Sequence, residues 1–221
     1  EFDMARLARI VLPNIPHHVT QRGVRSINIF SNDKDRLDYL KLLKEQSEIA
    51  GLAYLSYCLM DNHVHFIVIP TEKDSLRRGI GESNRLYTIR LNKRENTAGY
   101  LFQGRFFSSP LDQQHLLNTI RYIERNPVRA GICANPEDYF WSSARYHVGL
   151  EKNDILVESG DWFGIHTEWK EFISGPCTDI TQIEKCLTTG RPMGDDKFVK
   201  YAEKVTGREL RYKKMGRPFK L

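Results

Sequence analysis

Two histidines one residue apart, His63 and His65, sit inside a run from Leu59 to Ile69 that otherwise has the make-up of a buried strand. Alternate strand side chains share a face, so both imidazoles project to one side while Val64 and Phe66 take the other. Two neutral imidazoles on a rigid strand are half of a metal site. The segment Tyr122-Ile123-Glu124-Arg125-Asn126-Pro127 supplies more. Tyr122 and Asn126 stand four residues apart, which on a helix puts both on one face about a turn apart. An amide oxygen suits Mg²⁺ or Mn²⁺, and two imidazoles tilt the preference toward Mn²⁺. A divalent ion held by His63, His65 and Asn126 beside the Tyr122 hydroxyl is equipment for cutting a nucleic-acid strand through a covalent tyrosyl phosphate.

Each of these residues also has a plainer reading. A lone His-x-His pair is more often structural than ligating. A tyrosine beside Ile120 and Ile123 is usually a half-buried core residue, and Tyr87, Tyr100 and Tyr146 are rivals for any catalytic role. The spacing to Asn126 is what singles out Tyr122. Asp61 shares the histidine face by strand parity, where it either fixes a histidine tautomer or is an ordinary turn carboxylate.

The elements that must position these groups follow from pattern. Pro16 to Gly23 predicts a short strand. Asn32 or Asp33 caps a helix to about Ala50 with Leu37, Leu40 and Leu43 as its apolar stripe, and Gly51 stops it. Leu52 to Met60 is a second strand, joined through Asp61-Asn62 to the histidine strand, which Pro70 ends. One arginine-rich helix is predicted from Ser75 to about Asn96 and a strand over Phe106 to Leu111. Asp112 caps a third helix running through Asn126, and Trp141 opens a short helix. A β-α-β-β-α-β order predicts an α+β fold, a ferredoxin-like antiparallel sheet with helices packed on one face. After about Gly149 the pattern changes to short helices (166–174, 178–187 and 195–205). The organisation expected is a catalytic domain over residues 4–150, a helical extension over 151–207 and a basic tail over 208–221.

The chain has 221 residues, 40% hydrophobic, with a formal net charge of +5. Arg208, Arg211, Lys213, Lys214, Arg217 and Lys220 against Glu209 give the last fourteen residues that same net charge. Such a tail is a phosphate-seeking arm or a solubilising end. Its Gly216-Arg217-Pro218 is similar to the core of minor-groove hooks. No apolar run reaches the roughly 18 residues a membrane span needs. Four scattered cysteines without a C-x-x-C pair fit a reducing cytoplasm better than a disulfide scaffold. Arg6, Arg9, Arg22 and Arg25 near the N-terminus, with Arg77, Arg78, Arg85 and Arg90 on the second helix, offer phosphate or guanine contacts; a solvated helix face explains any one of them about as well. Around Gly104-Arg105, Phe102, Phe106 and Phe107 either stack on unpaired bases or pack in the core, Phe106 and Phe107 pointing to opposite sides of a strand.

Three segments carry a family likeness: residues 16–23 (Pro-His-His-Val-Thr-Gln-Arg-Gly), Met60-Asp61-Asn62-His63-Val64-His65, and Tyr122-Ile123-Glu124-Arg125-Asn126-Pro127-Val128-Arg129-Ala130. Together they resemble the REP-associated tyrosine transposases, bacterial relatives of the single-tyrosine HUH transposases. Residues 190–196 (Gly-Arg-Pro-Met-Gly-Asp-Asp) and the Gly216-Arg217-Pro218 tail are similar to that family's C-terminal region, so the likeness spans nearly the whole chain. The resemblance implies a ferredoxin-like catalytic domain, cytoplasmic and at the nucleoid, acting as a monomer on single-stranded DNA folded into REP hairpins. It also implies His63, His65 and Asn126 as ligands of Mg²⁺ or Mn²⁺, with Tyr122 as the nucleophile. Two other readings stand beside it: a catalytically idle hairpin-binding protein, and a two-histidine phosphoesterase that uses activated water.

Overall fold

Four strands make one antiparallel sheet: β1 (His17–Arg22), β2 (Leu52–Leu59), β3 (His63–Pro70) and β4 (Phe107–Pro110), in the order β2-β3-β1-β4. The computed structural model describes residues 9–157 and 168–211. Arg6, Lys213, Lys214 and Arg217 therefore lie outside the described residues, as does most of the basic tail. Helix α1 (Asp33–Ala50) connects β1 to β2, and α2 (Glu82–Glu95) lies between β3 and β4. With β1 and β3 in the centre, this is the ferredoxin-like arrangement that the element order predicts.

Local chemistry explains the helix ends. The Asn32 side chain accepts from the Asp35 backbone N–H at 3.1 Å, and Gly51 takes a left-handed φ of 65° at the C-terminus of α1. The buried face of α1 is Tyr39, Leu40, Leu42 and Leu43; Leu37, expected in the stripe, is exposed. The single helix expected over 75–96 is instead a π-helical turn (Arg77–Gly81) followed by α2. The irregular turn brings Gly79 against β2, where a Cβ would stand 2.3 Å from Leu52 Cδ1. Glycine is needed for that approach.

Helices α1 and α2 pack together on one face, as the element order predicts, and the other face is covered as well. Tyr39 of α1 packs on Phe66, whereas Tyr122 of α3 (Gln113–Glu124) packs on His65, which points the other way. Both faces of the central strands carry apolar side chains, Val64, Phe66 and Val68 on one and Ile67 on the other, so both need cover. Asp112 caps α3 by accepting from the His115 N–H at 2.8 Å. Helix α3 stops at Glu124, two residues short of the predicted end, and Asn126 opens a separate turn, α4 (Asn126–Arg129), with Pro127 in its first turn.

Glu124 is fully buried and ties four segments together. Its Oε1 accepts from Ser143 Oγ at 2.6 Å and lies 2.5 Å from Nδ1 of His147, at the end of α5 (Ala144–His147). Its Oε2 accepts from Nε1 of Trp169, which begins α6 (Trp169–Ser174), at 3.0 Å. Beyond α7 (Ile180–Thr189), the chain runs along the edge strand. The Met193 N–H donates to Pro110 O at 2.9 Å, and the Asp112 N–H donates to Met193 O at 3.0 Å. Asp195 then caps α8 (Asp196–Thr206), and Ala202 and Leu210 close a small second core with Ile10 and Leu12. Backbone groups that an edge strand would leave bare are thereby paired. No described helix is long and apolar enough to cross a membrane.

Truncation of Glu124 to alanine would take the shared acceptor from Ser143, His147 and Trp169 at once. A loss of roughly 3 kcal/mol or more is expected in urea unfolding, and Glu124→Gln, which keeps one acceptor oxygen, should lose clearly less. Equal losses for the two variants would contradict the network's role.

Candidate active site

Antiparallel register builds the centre of the site. Thr20 pairs with His65 and Arg22 with His63, so His18, Thr20, Arg22, His63 and His65 share one face of β1 and β3. The His63 and His65 rings stand 5.1 Å apart between centroids and nearly perpendicular, at 85°. Nδ1 of His63 sits 2.6 Å from Asn62 Oδ1, and Nδ1 of His65 sits 2.9 Å from Nε2 of the buried His18. The Nδ1 atom of each is thus engaged by a neighbour and the Nε2 atom is left over, the arrangement that orients metal-binding imidazoles. Burial keeps these rings neutral. It pushes His18 down to about 3 and His63 to about 4, the latter helped by Arg22, and holds His65 well below the usual histidine range, with His18 and His63 adding to the effect.

Tyr122 enters from α3 over this pair. Its ring centroid lies 5.8 Å from that of His65, edge to face, and 6.0 Å from that of His18. The side chain is 5% exposed, and its hydroxyl donates to Glu184 Oε1 on α7 at 3.4 Å. Arg129 from α4 lies over the tyrosine ring at 4.9 Å and pairs with the same Glu184 oxygen at 3.3 Å. Burial raises the Tyr122 pKa, the Arg129 cation opposes that rise, and Glu184 adds to it. The rival tyrosines are elsewhere: the Tyr87 hydroxyl donates to Ile29 O inside the core, and Tyr100 stands out in solvent.

Asn126 is not on the same helix as Tyr122, but its side chain reaches back across the break. Its Nδ2 donates to the carbonyls of Tyr122 at 3.1 Å and Ile123 at 3.4 Å, which turns the amide's donors to the backbone and leaves Oδ1 as its remaining acceptor. His63, His65, Tyr122 and Asn126 all line one cavity of about 590 Å³ with Arg22, Arg129 and Glu184. Among the described residues no group of three or more His, Cys, Asp and Glu side chains is placed to hold a metal. Any ion here would depend on the Asn126 amide. Two neutral rings with Nε2 left over, together with an amide oxygen, are a donor set that fits such an ion. Rings bound to one ion through Nε2 at about 2.1 Å have centroids roughly 5 Å apart, and these stand 5.1 Å apart.

Other predicted positions divide. Asp61 faces away from the histidines and pairs with Arg36, so the adjacent Asn62 takes the place considered for it. Arg78 is held by Glu72 and Asp74 and lines neither this cavity nor the arginine-lined groove described next. Arg25 is an exposed turn residue with φ 50°. Arg9, Arg77, Arg85 and Arg105 gather in a separate groove between α2 and the segment leading to β4. Phe106 lies under Arg9 in that groove while Phe107 faces the histidine cavity, the opposite pointing that strand parity requires. Sequence reasoning missed His18, Arg129 and Glu184 as parts of the site. His18 was findable, since it occupies the histidine face of β1; Glu184 carried no local signal.

The family model for IS200-like transposases matches residues 13–126, more than half of the chain. No curated protein matches it in sequence. The solved structure of a REP-associated tyrosine transposase bound to a REP hairpin shares the fold at a TM-score of 0.58 and 16% identity, over 72% of this chain and 94% of that one. A structure described as a candidate transposase from Deinococcus radiodurans R1 aligns at a TM-score of 0.38 and 17% identity, over 54% and 96% of the two chains. The matched segment holds both central strands, the histidine pair, Tyr122 and Asn126, and on that match the chain belongs to the IS200-like transposase family.

Proposed function

We propose that this transposase is a metal-dependent endonuclease and strand transferase for single-stranded DNA folded into REP-type hairpins, working through a 5′-phosphotyrosine on Tyr122. The observation that carries this reading is the cavity that His63, His65, Asn126 and Tyr122 line together. The hairpin substrate is supported by the REP hairpin bound in the structural neighbour.

Mg²⁺ or Mn²⁺ on His63, His65 and Asn126 would supply Lewis-acid stabilisation of charge on a non-bridging phosphate oxygen. The protein's own groups do the rest. Arg22, at the mouth of the cavity, is placed to draw in the phosphodiester. Glu184 fixes the hydroxyl's direction, and Arg129 favours the anionic oxygen that attacks phosphorus. A new bond joins Tyr122 Oη to phosphorus as the bond to the 3′ oxygen breaks. The tyrosine's proton is balanced by the one that the departing 3′ oxygen takes up. The phosphodiester energy is kept in the tyrosyl ester, so rejoining to another 3′ end needs no ATP. Tyr122 and His65 meet within one chain, which supports a monomer using its own nucleophile.

The direct test is incubation of a REP hairpin from the source genome with Mn²⁺, followed by denaturing electrophoresis. The wild type should form a covalent adduct and a free 3′ end, and Tyr122→Phe should form neither. Cleavage that survives Tyr122→Phe would point to activated water instead. Binding without cleavage under any divalent ion would make the protein an idle binder. A second measurement concerns the ion alone. His18→Ala removes the partner that orients His65 and should weaken Mn²⁺ binding about 10- to 100-fold by calorimetry, the range seen for groups behind ligands.

A further inference from the structure

We propose that a groove on the sheet face opposite Tyr122 binds an unpaired stretch of the same DNA strand, with a base stacked on Tyr100; this rests on the single-stranded DNA reading above. The groove, of about 520 Å³, runs between α2 and the segment that leads into β4. Arg9, Arg77, Arg85 and Arg105 line it, and no described Asp or Glu does. Arg77 and Arg85 are paired with Asp74 at 3.3 Å and Glu82 at 2.5 Å, outside the lining. Both are exposed pairs: the single-contact Arg77 pair is worth little in water, and the bidentate Arg85–Glu82 fork is a geometry that a phosphate reproduces.

Tyr100 is 90% exposed at the rim, and Phe102 and Phe106 form an apolar floor. A single exposed ring is unremarkable in itself. The loop that carries this one is held in place, because Asn92 Nδ2 donates to Gly99 O at 3.0 Å and Asn92 O accepts from the Thr97 N–H at 2.9 Å. An exposed ring among four guanidinium groups matches a base and its flanking phosphates. A paired base already has both faces stacked, so the partner is single-stranded.

The groove also connects to the catalytic cavity. A small depression at the start of β4 shares Phe107 and Thr188 with that cavity, and Arg9, Arg105 and Phe106 with the groove. A strand leaving Tyr122 can thus pass around the sheet edge along Arg105 and Arg9 to reach Tyr100.

The test is fluorescence anisotropy in EDTA, with no cleavage, on a blunt hairpin and on hairpins carrying a short single-stranded extension at the 5′ or the 3′ side. Tyr100→Ala should weaken binding of one extended hairpin about 5- to 150-fold, leave the blunt hairpin unchanged, and be rescued by Tyr100→Trp. Arg77→Gln and Arg85→Gln should each lower the slope of log affinity against log salt by roughly 0.7. Equal binding of all three hairpins by Tyr100→Ala and wild type, or an equal loss on blunt and extended hairpins, overturns the proposal. A wild type that binds extensions through Tyr100 yet forms no adduct with Mn²⁺ would sink the catalytic reading and leave this one standing.

Discussion

The hydrogen bond between His65 and His18 joins the two central strands at the point on which the site depends. It exists only because β1 and β3 pair in the register that puts Thr20 opposite His65, which sets His18 one step along the same face. A slip by one residue would turn every one of these side chains to the far face, among the core aromatics. Burial of the pair keeps both rings neutral, and a neutral His65 with its Nδ1 engaged presents Nε2. One contact therefore orients the imidazole nearest Tyr122, and burial sets its charge state.

Tyr122 is held from the other side. Tyr122 comes from α3, Arg129 from α4 and Glu184 from α7, so three elements meet at one hydroxyl. The buried carboxyl of Glu124, two residues on from Tyr122, anchors the end of α3 to Ser143, His147 and Trp169. The break after Glu124 matters as well. Across the break the Asn126 amide still bonds back to Tyr122 O, and both residues line one cavity.

Much of this was legible in the sequence for specific reasons. Alternation around His63 and His65, the Asn32 and Asp112 caps and the Gly51 stop are local signals, and the structure carries all of them. The strand order followed from the sequence of elements, and the opposed Phe106 and Phe107 from parity. What local pattern could not give was long-range. The cover of the histidine face by α3 and α7, the π turn at Arg77–Gly81 and the break before Asn126 answer to packing between segments far apart in the chain. Glu184 reads as an ordinary helix-surface acid until α7 is seen to lie over Tyr122. Arginine counting likewise could not separate Arg78, held by two carboxylates, from the four arginines that share a groove.

Strand β4 is where the two faces of the molecule communicate. It is four residues long, sits at the sheet edge, and is flanked by a segment whose successive aromatics point to opposite faces. Phe107 contributes to the wall beside Tyr122 and Phe106 to the floor beneath Arg9. An isolated edge this short would fray, but Met193 pairs with Pro110 and Asp112 on its outer side and Gly23 bridges to Phe102 just before it. The C-terminal segment thus holds in place the backbone that separates the histidine cavity from the arginine groove. A change that loosens the docking of Met193 would reach both surfaces, because the backbone that positions Phe107 also positions Phe106.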